Sequence, residues 1–345
     1  MEEVERAQER LENIRSVKPI LGGLRTISLG SWQATLKRRS GVREYTRRLK
    51  SILPSLLPHL QVQKNVLIRL RERLSPRLPS PVDRVVRADR PVRPAAIEAL
   101  VIGSERGLCG RFNVAVADEA ERYLRRHSAR GINVQLRTLG SRARRVLQRR
   151  GYEITQAGAL SATALPHFSL AFELARAWLT AYERGELDAV DLIHNGYRGT
   201  GTYQPKVTRL IPPRITAGQA SAEQAEEATD PPHRTSSQPR RPSRKHDRAP
   251  LRPPRRPWPP PIIETDPLSL YATVVEQLAA VQLYEVLLDS GAAEHSTRFQ
   301  LMESATQNAD RLIEELTLTI QTARRQQITQ EMGELAAGAG LIGRE

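Results

Sequence analysis

The sequence predicts an α/β fold, in which a long antiparallel coiled coil of the N- and C-terminal helices brackets a central Rossmann-like α/β domain. Apolar residues recur at three- and four-residue steps at both ends of the 345-residue chain, a spacing that keeps one helix face apolar. Between the ends, short apolar runs alternate with amphipathic stretches, which is typical of a sheet with helical crossovers. Twelve basic against six acidic residues in 1–50, and five against thirteen in 262–345, give the two ends opposite charge. We therefore expect the two ends to pair.

Residues 1–58 are predicted to form the N-terminal helix of the coiled coil. Its apolar face consists of Leu11, Ile14, Val17, Leu21, Leu24, Ile27 and Leu29. Pro54 and Pro58 are expected to end the helix, because proline lacks the amide donor and clashes with the preceding turn. Pro19, Gly22, Gly23 and Gly30 lie inside the helix, and we expect them to kink or soften it.

Residues 96–212 are predicted to form the central α/β domain, after a helix near 60–74 and a connection rich in Pro and Arg that together fill 59–95. Strands are expected at 96–103, 132–140, 152–155, 188–197 and 203–212, and helices at 112–128, 141–150 and 166–184. Ser141 is expected to cap the second of these helices, because a serine hydroxyl can accept a bond from a free first-turn amide.

Residues 213–261 are predicted to be a disordered insertion rich in Pro and Arg. Their composition has too few aliphatic side chains to offset the chain entropy lost on folding. Within the insertion, 231–258 hold nine basic residues against one acidic. This block could bind phosphates or anionic lipid electrostatically, or it could be a solvated linker. Only Trp258 is available to stack on a base, so specific recognition of nucleic acid has little support.

Residues 262–345 are predicted to form the C-terminal helix of the coiled coil. No proline occurs from Leu268 onward, and ~65–70 helical residues would span about 100 Å, too long for a compact domain. The helix must therefore project and pair with the N-terminal helix. We expect Leu11, Ile14, Val17, Leu21 and Leu24 to face Leu312, Leu316, Ile320, Ala323 and Ile328. An alternative is two helices separated by a break near Asp289–Gly291.

A glycine-rich turn at 101–113, VIGSERGLCGRFN, connects a predicted strand to a helix through Gly103, Gly107 and Gly110. Such glycines can let a backbone approach phosphate, but the spacing matches neither common nucleotide-binding motif, so a structural turn is favoured. Cys109 could be a reactive thiol, yet no His, Asn or Asp pattern completes a nucleophilic site. The seven histidines lack metal-ligand spacing. We expect no catalytic residue, no metal and no cofactor.

The remaining composition bounds the class of protein. A single cysteine excludes an internal disulfide, and no apolar run reaches the ~18–20 residues of a membrane span. The charged N-terminus, MEEVERAQER, has no signal-peptide core. A soluble, cytosolic chain with a net charge of +15 is expected.

Four segments together resemble the γ subunit of F-type rotary ATP synthases. They are RLENIRSVK (10–18), GSERGLCGRFN (103–113), NGYRGTGTYQPKVTRLIP (195–212) and EHSTRFQLMESATQNADRLIEELTLTIQTARRQQITQEMGELAAGAGLI (294–342). The last is the most specific, since its Met-x-x-Ala-Thr-x-Asn-Ala, Leu-Thr-Leu and Ala-Arg-x-x-x-Ile-Thr-x-Glu motifs occur in the family's order and spacing. The insertion has no counterpart in the short loop of typical relatives, so the chain resembles a divergent member.

The resemblance implies a non-catalytic central-stalk rotor, a shaft that turns inside a ring of α and β subunits with its foot near the ε subunit and the c-ring. It would couple proton or sodium flow to ATP synthesis or hydrolysis on the β subunits, at the cytoplasmic face of a bacterial membrane. The resemblance also places six polar residues against β-subunit loops: Arg324, Arg325, Gln326, Gln327, Thr329 and Gln330. These could instead be a solvated helix face.

Two hypotheses from other classes stay open beside the rotor. One is a basic nucleic-acid-binding protein that uses residues 231–258. The other is a nucleotide-dependent enzyme built on the glycine turn at 103–110.

Overall fold

The computed structural model describes residues 2–74, 96–160, 165–212 and 263–338. The helices are α1 (Glu2–Leu74), α2 (Phe112–Ser128), α3 (Ser141–Arg149), α4 (Phe168–Arg184) and α5 (Pro267–Gly338). The strands are β1 (Ala96–Ile102), β2 (Asn133–Leu139), β3 (Gln156–Gly158), β4 (Ala189–Gly199) and β5 (Thr202–Ile211). The predicted combination of a central α/β unit with long N- and C-terminal helices is confirmed.

The five strands form one sheet in the order β3-β2-β1-β4-β5. Strands β1 to β4 run parallel, and β5 pairs antiparallel with β4. Helices α2 and α3 cover one face, where Val116, Ala120 and Leu147 are buried against β1 and β2. Helices α4 and α5 cover the other face, where Trp178 and Leu283 are buried. One long helix is therefore an outer layer of the α/β core as well as half of the coiled coil.

Helices α1 and α5 form the antiparallel pair that the sequence predicts. Four cross-helix ion pairs record its register: Lys18–Asp310, Arg25–Glu303, Arg39–Asp289 and Arg43–Glu285, at 2.5, 2.7, 2.7 and 3.1 Å. From one ion pair to the next, the number of residues gained along α1 equals the number lost along α5. The antiparallel register is therefore constant from the first pair to the last. The opposite charges of the two ends thus meet across the pair.

The face that α1 turns toward α5 differs from the predicted apolar stripe. Its buried and half-buried residues follow alternating steps of three and four: Leu11, Ile14, Lys18, Leu21, Arg25, Ser28, Trp32, Thr35, Arg39, Val42, Thr46, Leu49 and Leu53. Three hydroxyls in this stretch donate to carbonyls of their own helix, one turn earlier. These three residues can therefore lie in the seam without an unsatisfied hydroxyl donor.

Two of the predicted facing residues were wrong. Val17 is 47% exposed and Ile328 is 56% exposed, while Leu11 and Ile320 are buried as expected. Val17 lies one position away from the seam residue Lys18. Ile328 lies past the level at which the register pairs α5 with the first described residues of α1.

The end of α1 corrects one expectation. Helix α1 continues through Pro54 and Pro58 to Leu74, because Leu53 and Leu56 are buried against Val274 and Leu278 of α5 and their burial outweighs the lost amide donors. Helix α1 is also continuous past the interior proline and glycines, and the expected kink or softening there stays a prediction. Helix α5 is one continuous helix, as the leading interpretation expected, and the alternative break near residue 290 is absent.

Two local details in the α/β unit differ as well. Strand β3 lies at 156–158 instead of 152–155, because Tyr152 and Ile154 pack against the α2–α3 core. Helix α3 has Gly140 at its N-cap position, and the Ser141 hydroxyl donates to the carbonyl of Glu105 instead of capping. The insertion at 213–261 and residues 75–95 lie outside the described ranges, and the predicted division into domains stays a prediction.

Candidate functional site

The far end of α5 carries the six residues singled out by sequence. Arg324, Arg325, Gln326, Gln327, Thr329 and Gln330 are all exposed. Gln327 and Gln330 donate to Glu331 and Glu334, one turn further along, at 2.9 and 3.0 Å. Within the described part of the chain, the guanidinium groups of Arg324 and Arg325 are in no salt bridge. The structure thus leaves these polar groups accessible, and their role stays a prediction.

Apolar side chains on the same stretch are exposed too. Ile328, Met332 and Leu335 are 56%, 66% and 74% exposed, and their spacing of four and three places them on one helix face. Large apolar side chains grouped in water mark a surface that another molecule covers. Sequence reasoning assigned Ile328 to the coiled-coil seam and missed the stripe, although its helical spacing was visible.

The glycine turn between β1 and α2 is packed against the α/β unit. A Cβ on Gly103 would lie 2.2 Å from Cβ of Ala143, and Gly110 has a positive φ of 55°. The Ser104 amide donates to Oδ1 of Asn113 at 2.9 Å, and Nδ2 of Asn113 donates back to the Ser104 hydroxyl at 2.8 Å. Only glycine fits the first position, so close packing alone explains that residue.

Cys109 belongs to this turn, and its side chain is buried, at 2% exposure. Its sulfur contacts the Ser104 hydroxyl at 3.5 Å and accepts from Nδ2 of Asn113 at 3.4 Å. Burial raises the pKa of the Cys109 thiol, which disfavours the reactive thiolate at neutral pH. The packed-residue interpretation fits this environment.

Arg298 of α5 reaches the outer side of the turn. Its Nε donates to the Gly107 carbonyl at 3.1 Å, and its Nη2 donates to the Arg106 carbonyl at 3.4 Å. The same Nη2 donates to Oε1 of Glu294, one turn back along α5, at 2.6 Å. The side chains of Arg298 and Glu294 are only 6% and 13% exposed. Burial raises the pKa of Glu294, and the positive charge of Arg298 opposes that shift.

His295 completes the surroundings of Arg298. Nη1 of Arg298 lies 3.3 Å from Nδ1 of His295, and burial lowers the pKa of His295 to about 4. The imidazole is therefore neutral at pH 7 and can accept from the guanidinium. Sequence reasoning missed this whole cluster, although its glutamate and arginine are four residues apart, a spacing that pairs side chains on a helix.

The end of the β4–β5 hairpin contacts α1 and α5 at the level of Arg298 along α5. The Trp32 ring lies 6.3 Å from the Tyr197 ring and 5.9 Å from the Phe299 ring. The backbone at Gly201 has a φ of 65°, and a Cβ there would overlap the Gln300 side chain. Two loops of the α/β unit therefore close on α1 and α5 together.

The described ranges also bear on metal sites and membrane spans. They contain no group of three or more His, Cys, Asp or Glu side chains arranged to hold a metal ion. Within the same ranges, no helix is apolar over a sufficient length to cross a membrane. The basic block 231–258 lies outside them.

Comparison with known proteins identifies the family. A sequence model described as ATP synthase matches residues 3–340. The ATP synthase gamma chain of Pelotomaculum thermopropionicum is 26% identical over 335 residues, which cover 97% of both chains. The ATP synthase gamma chain of Anaeromyxobacter sp. strain Fw109-5 is 30% identical over 304 residues, 85% of this chain and 88% of the relative.

Solved structures share the architecture. The Euglena gracilis mitochondrial ATP synthase rotor matches with a TM-score of 0.51 at 12% identity, over 94% of this chain and 98% of that chain. A chain of the Tetrahymena thermophila mitochondrial ATP synthase central stalk and c-ring matches with a TM-score of 0.50 at 17% identity, over 83% and 99%. At these identities the likeness concerns the fold. Because the family match runs nearly from end to end, this chain belongs to the family of ATP synthase γ chains.

Proposed function

We propose that this chain is the non-catalytic central-stalk rotor of an F-type ATP synthase. The observation that carries the proposal is the division of α5. One unbroken helix is buried against the α/β unit and α1 at residues 274–293 and exposed at residues 324–335. A shaft needs both properties, a fixed foot and a free surface for its surroundings. The family membership supplies the identity of those surroundings.

The shaft acts by shape and charge. Its two helices present different side chains in each direction, so the subunits around it meet different faces as it turns. A surrounding subunit that contacts one face is biased toward one conformation, and the bias passes to the next subunit on rotation. The bond-making chemistry of ATP synthesis or hydrolysis belongs to the β subunits in this proposal.

The partners follow from this role. The α and β subunits surround the upper part of the shaft, and the ε subunit and the c-ring adjoin its α/β foot. The six exposed polar residues at 324–330 contact β-subunit loops, with the apolar stripe of Ile328, Met332 and Leu335 beside them. The complex lies at the cytoplasmic face of a bacterial membrane and couples proton or sodium flow to ATP turnover.

Co-expression with the cognate α and β subunits tests the proposal. We expect a complex with one copy of this chain per three αβ pairs, measured by size-exclusion chromatography with light scattering. The matched variant replaces Ile328, Met332 and Leu335 with Asp, which introduces charge at the proposed contact without touching the foot. It should reduce the yield of complex, whereas the same change at three exposed polar positions outside the proposed contact, Thr319, Gln321 and Thr322, should reduce it less. A wild-type chain that elutes alone contradicts the rotor.

The nucleic-acid alternative has its own test. Salt-dependent DNA or RNA binding that is lost on deletion of residues 231–258 would favour it. The whole-chain family match gives that alternative no support.

A further inference from the structure

Torque between the foot and the shaft must cross the contacts that the α/β unit makes with α5 and α1, if the chain is a rotor. We propose that Arg298 is the positioning residue of the joint between the glycine turn and α5. Its side chain holds the turn, and with it the α/β unit, against rotation about the α5 axis. This inference rests on the proposed function and names a residue for it.

The turn is rigid on its own side. Ser104 and Asn113 exchange two hydrogen bonds, and the Arg142 amide donates to the Ser104 carbonyl at 3.1 Å. Glu105 accepts from the amides of Ser141 and Leu160 at 3.1 and 3.4 Å. The turn is therefore tied to α2, to α3 and to the segment after β3. A force applied to its outer carbonyls reaches the whole α/β unit.

Arg298 contacts those carbonyls from the shaft. A guanidinium is planar and its donors form a rigid fork, so bonds to two successive carbonyls fix direction as well as distance. Glu294 holds the fork from the same helix at 2.6 Å. Because both side chains are nearly shielded from water, these charge-assisted bonds are stronger than exposed ones.

The position of Arg298 along α5 adds to the argument. Immediately below it, Ala293 packs with Cys109 and Phe112 under the turn. Immediately above it, Leu301 approaches Gly110 and is 39% exposed. Beyond residue 301, the buried apolar residues in the described part of α5 are Met302, Ala309 and Ile320. None of these three belongs to the core clusters of the sheet. Arg298 thus sits at the boundary where the shaft leaves the foot.

The joint can be measured on the full chain without its partners. Spin labels on Leu318→Cys of the shaft and Gln148→Cys of α3 report the distance between shaft and foot by pulsed electron resonance. Both positions are exposed, while native Cys109 is buried with a raised pKa, so the labels attach to the engineered pair. The width of the distance distribution reports how firmly the foot is held.

We expect the distribution to broaden in Arg298→Ala and to broaden less in Arg298→Lys, which keeps the charge but loses the fork. The matched control is Arg311→Ala, because Arg311 is exposed on the same helix and donates to Asn308. It should leave the width unchanged. Equal widths in wild type and a folded Arg298→Ala overturn the proposal. Where Arg298→Ala does not fold by circular dichroism, an unchanged width in Arg298→Lys overturns it.

The complete ATP synthase reconstituted in vesicles tests the consequence for torque. We expect Arg298→Lys to lower the protons pumped per ATP hydrolysed by about twofold or more while the complex assembles normally. A broadened distribution with unchanged pumping would overturn the role in torque transfer. Failure of the wild-type chain to enter the complex would instead count against the rotor itself, so the two failures are distinguishable.

Discussion

The two halves of α5 differ in what surrounds them. In the half next to the sheet, Leu283, Leu288 and Ala292 are fully buried, and even Asp289 is only 4% exposed. In the free half, Leu318 is 64% exposed and Leu335 is 74% exposed. Residues 274–293 contain 13 apolar residues out of 20, whereas residues 324–335 contain 3 out of 12. Composition therefore favours burial next to the sheet, and the position of each apolar residue relative to α1 and to the sheet decides whether that residue is covered.

The difference shows which half of α5 is stabilised by contacts within the chain itself. The half against the sheet is fixed by contacts that the chain supplies itself. The free half has one helix as its neighbour, and beyond the level of the first described residues of α1 the register provides none. Equivalent substitutions in the two halves should therefore differ in their effect on stability.

The largest effect is expected at the buried ion pair. Oδ1 of Asp289 forms a salt bridge with Nη2 of Arg39 at 2.7 Å, and Oδ2 lies 3.3 Å from Nζ of Lys206. Burial lowers the pKa of Arg39, and the negative charge of Asp289 opposes that shift. Asp289→Ala leaves the guanidinium buried without its partner and should lower the free energy of unfolding by about 3–5 kcal/mol. Urea denaturation followed by circular dichroism measures it.

The control for that change is Asp310→Ala. Asp310 pairs with Lys18 at 2.5 Å in the same register, but both side chains are nearly half exposed. Loss of an exposed pair should lower the free energy of unfolding by only ~0–1 kcal/mol. Equal losses at the two positions would contradict the division of α5 into a buried and a free half.

The next effect is expected in the apolar core. Leu283 is completely buried between α5 and the sheet, so Leu283→Ala removes buried methyl groups and leaves a cavity, at about 2–5 kcal/mol of unfolding free energy. Leu318→Ala makes the same chemical change in the free half and should stay within about 0.5 kcal/mol. A loss above that range at Leu318 would mean that the isolated chain covers its own free end.

How much of this was predictable depends on how local the determinant is. Apart from β3, the positions of strands and helices in the α/β unit followed from apolar periodicity, and α2 begins and ends where the sequence suggested. The end of α1 was misplaced, because the burial of Leu53 and Leu56 against α5 is a tertiary effect that proline's local cost does not reveal. The seam was misread for a similar reason. Periodicity of apolar letters passes over Lys18, Thr35 and Thr46, which lie in the seam.

The candidate site likewise has one part that the sequence predicts and one part that depends on tertiary contacts. Exposure of the residues at 324–330 agrees with their polar character, which is visible in the sequence. The contact of Arg298 with carbonyls of Arg106 and Gly107 joins residues almost two hundred positions apart. Backbone carbonyls have no sequence signature, so only the fold reveals this joint.

A smaller loss is expected at the glycine turn. Gly103→Ala places a methyl group 2.2 Å from Cβ of Ala143 and 2.9 Å from Oδ1 of Asn113. Relief of this overlap must shift packed atoms, and we expect about 1–3 kcal/mol of destabilisation. Gly107→Ala is the matched change, since the nearest atom to its Cβ, Cζ of Arg142, is 3.7 Å away. Thermal unfolding of the two variants compares them, and a lower melting temperature for Gly107→Ala than for Gly103→Ala would refute the packing explanation.

The smallest effect on stability, and the one that concerns function most directly, is expected at the free end. Arg324 and Arg325 are exposed, and an exposed ionic contact to a partner is worth only ~0–1 kcal/mol, so Arg324→Ala should not dissociate the complex. It should lower ATP turnover instead, because a contact made in some rotor positions and absent in others changes the relative free energies of those positions. Turnover of the reconstituted complex is compared with that of Arg311→Ala, an exposed arginine nearer the foot. Wild-type turnover in an assembled variant that lacks both Arg324 and Arg325 would remove these side chains from the mechanism and leave the apolar stripe as the working surface of the shaft.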